Sequence, residues 1–329
     1  MNRQMMNHNP LNQIKPHHSI ALVTHTHPDG DAFGSVLGLY HLLRKYVNNI
    51  EPYIEFSGTS KYHFLPGFSS LKTKIDPEAP GYDFCVVLDC GNTERTGSLS
   101  TLMSSAKQVI NIDHHISNTL FGDLQWIEHD KSSTSEIIAS LSQNSKLHLN
   151  SDAATCLLTG IMMDTGSFLY ENTTSSTHFQ ASRLIDAGAD QGRIRSELYQ
   201  NRPLQNVKFL AYMIEHMELA MDNRVVLIAV PDALLNEYQV AYEDLDEYIA
   251  FARDIEGIEL AVIVKEMDKE EIKISFRSKS WLDVNELASH FNGGGHARAA
   301  GAVMKGSVAD AIKRLKPVIR YYFDGSNSE

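Results

Sequence analysis

The sequence predicts an α/β protein, with a mainly parallel sheet in its first half followed by a smaller α/β domain. Three observations lead there. Short apolar runs of strand length alternate with longer helix-like segments through the first half, the pattern of a sheet covered by helices on both faces. Four apolar segments of that half end on Asp or His. After about residue 220 the texture changes to closely spaced β-like runs with two helix-like segments.

Residues 19–24 (SIALVT) form a short apolar run expected as the first strand, and residues 32–46 a helix behind it. Residues 83–88 (DFCVVL) and 108–112 (QVINI) are expected as further buried strands. Helices are expected at 135–141, 153–163 and 177–187, the last closed by Gly188 as a C-cap. Residues 133–136 (STSE) have the spacing of a capping box at a helix start, a role preferred here to a phosphate contact. Residues 194–220 read as a long, mostly helical connector interrupted at Pro203. Beyond it, 224–230 (RVVLIAV), 259–265 (ELAVIVK) and 271–277 (EIKISFR) are β-like, while 284–291 and 308–315 are helix-like. The polar tail, 324–329, is expected to fray.

A chain of 329 residues has room for two domains. With 43% hydrophobic and 21% charged residues, it has an ordinary globular composition and enough apolar side chains for a sizeable core. No run approaches the roughly 18 apolar residues of a membrane span, so no membrane partner is expected. The polar, Asn-rich residues 1–15 lack the basic-then-apolar order of a signal peptide, which places the protein in the cytoplasm. Cys85, Cys90 and Cys156 have no metal-type spacing and read as reduced core thiols. The net charge of −12 argues against tracking along long nucleic acid, which needs a basic face. It leaves room for short substrates held by a few local cations, and it suits a site that collects divalent metal.

The first apolar run leads into His25-Thr26-His27-Pro28-Asp29-Gly30-Asp31, the second ends on Asp89, and the third on Asp113-His114-His115. A fourth apolar segment, 159–163, ends on Asp164. In open α/β sheets the carboxyl ends of the strands converge on one crevice, so these four segments should deliver their side chains to one place. Carboxylates gathered there repel unless a cation intervenes or a proton is taken up. Two divalent ions need roughly six or seven donors, and His25, Asp29, Asp31, Asp89, His114 and Asp164 supply them. Mixed imidazole and carboxylate ligation suits Mn²⁺, with Mg²⁺, Co²⁺ or Fe²⁺ as relatives, and the lack of Cys counts against structural zinc. Alone, Asp29-Gly30-Asp31 could be a turn and helix N-cap, Asp89 a turn cap, and Asp164-Thr165-Gly166 a turn. Their conjunction, in order and each after an apolar segment, favours the metal site. His27 is taken as a loop residue, and His17 and His18 as solvent-facing.

The runs THTHPDGDAFGS, VVLDCG, IDHH and GIMMDTGSF resemble, in order and context, the four motifs of the DHH phosphoesterase superfamily. The resemblance implies one metal bound by His25, Asp29 and Asp89, and a second bound by Asp31, Asp89, His114 and Asp164, with Asp89 bridging. Two such ions lower the pKa of bound water and clamp phosphoryl oxygens. His115, next to a ligand, is placed to contact a non-bridging oxygen or protonate the leaving group. Asp113 is a candidate to orient a neighbouring His.

Residues 291–301 (FNGGGHARAAG) carry three consecutive glycines, which disfavour regular structure. They suit either an anion-binding nest, with His296 and Arg298 beside it, or a flexible loop. The segment also resembles the glycine-rich signature of the DHHA1 domain, and 274–278 (ISFRS) resembles that domain's upstream strand. By that resemblance Arg277 and His296 hold the nucleotide portion, with Arg298 assisting and Gly293, Gly294 and Gly295 close to it; a guanidinium suits phosphate recognition. The implied organisation is a DHH catalytic domain at 1–190, a helical linker at 191–220 and a substrate-binding DHHA1 domain at 221–329. The arrangement is most similar to standalone bacterial nanoRNases, which hydrolyse very short RNA and dephosphorylate 3′-phosphoadenosine 5′-phosphate (pAp), with a homodimer as a family-level expectation. The rival substrates are signalling dinucleotides, pApA or c-di-AMP. A non-enzymatic nucleotide sensor would be favoured by a missing ligand, and none is missing.

Overall fold

The computed structural model describes residues 9–56, 61–76, 81–143, 147–240, 245–268 and 271–325. The chain divides into two compact units, Met1–Asn201 and Arg202–Glu329. The expected frayed end, 324–329, lies mostly outside the described residues.

In the first unit β1 (Ser19–Val23) is followed by α1 (Gly30–Leu43), β2 (Asn49–Pro52), β3 (Phe84–Leu88), α2 (Ser100–Ser105), β4 (Gln108–Asp113) and β5 (Leu124–Ile127). Four helices complete it: α3 (Thr134–Gln143), α4 (Ser151–Asp164), α5 (Ser175–Asp186) and α6 (Gln191–Tyr199). The strands are all parallel, in the order β2-β1-β3-β4-β5. Ile20, Leu22, Val86 and Leu88 face a core shared with Phe33, Leu37, Leu157 and Ile161 of α1 and α4. Their alternates Ala21, Val23, Cys85 and Val87 face a smaller core with Tyr53, Tyr82, Leu99 and Leu102. Burial on both faces is why these strands read as unbroken apolar runs. Edge strands β2 and β5 escape that criterion, because only Pro52 and Ile127 in them are buried. All three cysteines are buried and free.

The chain steps from β1 out to β2, then crosses back past β1 to β3. That reversal opens a crevice between the carboxyl ends of β1 and β3, the topological switch point of a doubly wound sheet. Helices α1 and α4 pack closely on the same side. A Cβ on Gly34 would lie 2.6 Å from the Cys156 carbonyl oxygen and 2.8 Å from the Gly160 nitrogen, so only glycine lets the two backbones approach this far.

In the second unit α7 (Leu204–His216), β6 (Glu218–Ala220), β7 (Val225–Val230), α8 (Asp232–Tyr238) and α9 (Leu245–Asp254) precede β8 (Leu260–Asp268) and β9 (Glu271–Ser278). Then come α10 (Val284–Ser289), β10 (Gly294–His296), β11 (Ala299–Lys305) and α11 (Val308–Gly325). The sheet order is β10-β11-β9-β8-β7-β6, with β7 and β8 parallel and the other neighbours antiparallel. One face packs on α10 and α11 through Ile274, Phe276, Leu287 and Leu315. On the other face α7, α8 and α9 cover β7 and β8 through Phe209, Leu235, Ile249 and Ile263.

The stretch 191–220 is two helices and a strand. Helix α6 buries Ile194 in the first unit's core, whereas α7 buries Phe209 and Met213 in the second unit, with the break at 200–203. Helix α11 runs well past the expected end at 315 and contains Pro317. Its stripe Ala311, Leu315, Ile319 and Phe323, spaced four residues apart, stays buried throughout. That packing outweighs the one backbone hydrogen bond proline removes. Among the described residues no helix is long and apolar enough to cross a membrane.

Candidate metal centre

The carboxyl ends of the central strands deliver three parts of a cluster. His25 lies two residues beyond β1 and is buried, with Nε2 3.5 Å from Asp89 Oδ2. Asp89 follows β3 directly, with φ 56 in the left-handed region that Asp tolerates better than most residues. His114 follows β4, and its Nε2 lies 3.5 Å from Asp89 Oδ1 and 3.2 Å from Asp164 Oδ2. The two oxygens of Asp89 therefore face different imidazoles.

Asp29 and Asp31 enter from the start of α1. Asp29 is that helix's N-cap, accepting from the N–H groups of Asp31 and Ala32 at 3.0 and 3.1 Å. The cap foreseen as an alternative is thus present together with the metal-type geometry. Asp31 accepts from the Thr134 and Ser135 N–H groups at 2.6 and 2.9 Å, at the N-terminus of α3, where a negative charge is favoured. Asp164 is the last residue of α4. It is therefore brought to the crevice by a helix end rather than a strand end, and its position depends on the α1–α4 packing.

Among the described residues, three groups each bring their ligand atoms within 4.8 Å of one another: His25, Asp29 and Asp89; Asp31, His114 and Asp164; and Asp89, His114 and His115. His115 Nδ1 also meets Asp113 Oδ1 at 2.6 Å, and Asp113 is fully buried. His27 is exposed, its Nδ1 beside the Thr26 hydroxyl at 3.2 Å.

The charges in this cluster are not balanced by the protein alone. Burial and then the neighbouring Asp89 charge push Asp31 up to about 8. Desolvation raises Asp29, and Asp89 adds to it. Burial, then Asp31 and Asp29, raise Asp164 well above the carboxylate range, at a helix C-terminus that itself disfavours an anion. Burial opposes the charge of Asp89, but hydrogen bonding to His114 and His25 holds its pKa well below the usual range. Burial also opposes a charged His114, yet Asp89 and Asp164 raise it to about 10. Crowded carboxylates short of positive partners, mixed with imidazoles and free of thiolate, fit a hard or borderline divalent cation.

That imbalance predicts a pH dependence. Metal must displace protons from the raised carboxylates, so Mn²⁺ binding should release protons and tighten as the pH rises toward the Asp31 value of about 8. In the metal-free protein the protonated Asp31 contributes stability that is fully present below its unfolded value of about 3.9 and is lost as the pH rises through about 8. Calorimetry in buffers of different ionisation enthalpy checks this. Affinity that does not change between about pH 6 and about pH 9 would count against it.

Several contributors carry no motif. The Thr134 hydroxyl donates to Asp89 Oδ1 at 3.2 Å. Asn172 Nδ2 donates to the carbonyls of Ser132 and Asp164, tying the segment before α3 to the end of α4. The expected capping box forms by half: Ser133 Oγ accepts from the Glu136 N–H at 3.0 Å, but the Glu136 carboxylate binds the Ser132 N–H and hydroxyl instead of the cap residue. Gly160 is needed because a Cβ there would sit 2.0 Å from Ser135 Oγ and 2.6 Å from Asp31 Oδ1.

In the second unit, Arg277 pairs with Ala299, and Ala299 with His296, forming one row across β9, β11 and β10. Arg277 is half-buried and His296 exposed. Arg298 lies in the turn outside this row and donates to the Leu282 carbonyl at 2.8 Å. The glycine run is neither a nest nor an irregular loop, since Gly294 and Gly295 lie in strand β10. The Gly293 N–H donates to the Ala288 carbonyl and the Gly295 N–H to Asn285 Oδ1, so neither is turned outward as a nest requires. A Cβ on Gly293 would meet the Gly301 carbonyl oxygen at 2.2 Å, so glycine here serves close packing on β11.

A parallel sheet gathering carboxylates and imidazoles at its switch point has the architecture of a metal-dependent hydrolase. Residues 19–161 match the DHH family, N-terminal domain, and residues 223–323 match the DHHA1 domain. The chain is 30% identical over 302 residues to the bifunctional oligoribonuclease and PAP phosphatase NrnA of Thermus thermophilus, covering 92% of this chain and 89% of that one. It is 30% identical over 295 residues to the Bacillus subtilis protein of the same name, covering 89% of this chain and 91% of that one. A crystal structure of an exopolyphosphatase-related protein from Bacteroides fragilis is similar with a TM-score of 0.86 and 25% identity, over 93% of each chain. The chain belongs to the DHH family of phosphoesterases and carries a DHHA1 domain, and it is a hydrolase of phosphoester bonds.

Proposed function

We propose that this protein hydrolyses very short oligoribonucleotides to mononucleotides and removes the 3′-phosphate from pAp, in the cytoplasm. Support comes chiefly from the convergence of His25, Asp29, Asp31, Asp89, His114 and Asp164 on one crevice. The names of relatives matched over most of both chains support the substrate class. Two divalent ions, Mn²⁺ by preference, would be held by His25, Asp29 and Asp89 and by Asp31, Asp89, His114 and Asp164. When bound, such ions polarise a phosphoryl oxygen and activate water at neutral pH.

The chain's own groups do the rest. His115, anchored through Nδ1 on Asp113, keeps Nε2 for a phosphoryl oxygen or the leaving oxygen. Arg277 and His296 receive the nucleotide's phosphate and base portions, with Arg298 and Gly293, Gly294 and Gly295 alongside. A net charge of −12 disfavours long nucleic acid, so selectivity for short chains needs only these local cations.

The test is a 5′-labelled RNA ladder from dinucleotide to decamer, run with Mn²⁺ beside pAp, pApA and c-di-AMP. Mononucleotides from the shortest RNAs, with phosphate from pAp, are expected. Exclusive cleavage of pApA would overturn the proposal in favour of signalling dinucleotides. In the same assay Arg277→Ala should raise KM by about 10-fold or more, the loss of one charge-assisted contact of about 1.5–3 kcal/mol.

A further inference from the structure

Behind the Asp113–His115 pair lies a chain of polar side chains to which no function has yet been given. Asn111 sits in the middle of β4 between Ile110 and Ile112 and is completely buried. A polar side chain in such a position costs free energy unless it is fully hydrogen-bonded. Its Nδ2 donates to the carbonyls of Val87 and Cys90 at 3.4 and 3.3 Å. Its Oδ1 accepts from Asn118 Nδ2 at 2.9 Å. Asn118 Nδ2 also donates to Asp113 Oδ2 at 2.7 Å and approaches the Cys90 carbonyl at 3.4 Å. Asn118 Oδ1 accepts from the Leu120 N–H at 2.7 Å.

These bonds allow one arrangement of the amide. Turning Asn118 over would set its oxygen against the oxygens of Asn111 and Asp113 and its NH₂ against the Leu120 N–H. Asn111 thus fixes Asn118, and Asn118 fixes one oxygen of Asp113. The other oxygen of Asp113 is left for His115 Nδ1 at 2.6 Å. A carboxylate pinned at one oxygen offers the imidazole a single direction in which to bond. The ring plane of His115, and with it the position of Nε2, follows from that direction. The loop carrying Asn118 is itself fastened to the turn after Asp89, where the Thr119 N–H donates to the Gly91 carbonyl at 2.8 Å.

We propose that Asn118 is a positioning residue for the reaction, holding the Asp113 carboxylate, with Asn111 behind it, so that His115 presents Nε2 to the phosphoryl group. The inference rests on His115 acting on substrate, as proposed above. Neither asparagine touches the reacting atoms.

The test is a double-mutant cycle of Asn118→Ala and His115→Ala in the full chain with Mn²⁺, read as kcat and KM on pAp. Alone, Asn118→Ala should lower kcat about 10- to 100-fold with KM little changed, the usual effect of removing an outer partner of an oriented imidazole. In the His115→Ala background it should lower kcat no further. An equal loss in both backgrounds overturns the proposal. So does a loss explained by depleted Mn²⁺ with normal kcat at saturating metal, since Asn118 would then act on the ligands instead. A ring-nitrogen NMR spectrum of His115 needs neither substrate nor turnover. It should show a hydrogen-bonded Nδ1–H that is lost in Asn118→Ala, while thermal unfolding shows that the variant is folded. An unchanged spectrum overturns the proposal. If the parent protein hydrolyses none of the substrates, the functional reading fails separately while the spectrum still decides the role of Asn118.

Discussion

Replacing Asp89 by asparagine should strip the protein of bound metal and lower phosphoester hydrolysis by more than about 100-fold, beyond the 10- to 100-fold typical of outer partners. Among the described residues Asp89 is the one carboxylate whose two oxygens face different imidazoles, His25 at 3.5 Å and His114 at 3.5 Å. Asparagine keeps the volume and one acceptor oxygen but loses the charge and the second acceptor. It also turns an NH₂ donor toward one of the two imidazoles. Metal content by elemental analysis and turnover should fall together. Turnover at the parent level would show that Asp89 does not join two metal positions. Retained metal with lost turnover would make it a catalytic group and not a bridge.

The second large effect belongs to a residue far from the chemistry. Gly34→Val should destabilise the first unit by about 3 kcal/mol or more, since the added atoms meet the backbone of α4 and cannot be relieved by a side-chain rotation. For a unit of this size that corresponds to a fall in melting temperature of about 6–12 °C. The same change should weaken metal binding in the molecules that still fold. Asp31 rides on α1 and Asp164 on α4, and forcing these helices apart separates two members of one ligand set. Thermal unfolding and metal titration report the two consequences independently. A variant with the parent melting temperature would show that the α1–α4 contact has more slack than the 2.6 Å approach implies.

The metal-type residues were legible in the sequence because His25, Asp89 and His114 lie just past short apolar strands, with Asp29 and Asp31 soon after the first of them and Asp164 at the end of an apolar helix. A strand of five or six residues buried on both faces announces itself, and the residue after it inherits a known place at the mouth of the sheet. Strands β2 and β5 were not legible, because edge strands bury little and carry no apolar run. The helix expected at 308–315 runs on past Pro317, because the apolar stripe continues through Ile319 to Phe323. Asn111 gave a signal that could have been used: a polar residue inside the apolar run QVINI must find partners, and those partners lie behind the site.

The sequence by itself determined which carboxylates and imidazoles gather at the crevice, their order along the chain and the family to which the chain belongs. Each of those depends on residues close together in the chain. Tertiary structure alone decided that Asp164 arrives on a helix held by a glycine contact, and that Thr134 and Ser135 bind Asp31 from more than a hundred residues away. It also decided that Gly294 and Gly295 build a sheet edge instead of a nest. In each case the partner is distant in sequence, and the decisive quantity is the space or hydrogen-bonding capacity left when two separate segments meet.

Asp113-His114-His115 shows the division most clearly. In the function proposed above the triplet offers one metal ligand, His114, and one proton donor, His115. Nδ1 of His115 is engaged by Asp113 Oδ1, and the other oxygen of that carboxylate is held by an amide five residues further along the chain. A buried carboxylate can hold only the hydrogen bonds its surroundings allow, and those surroundings exist only in the folded protein.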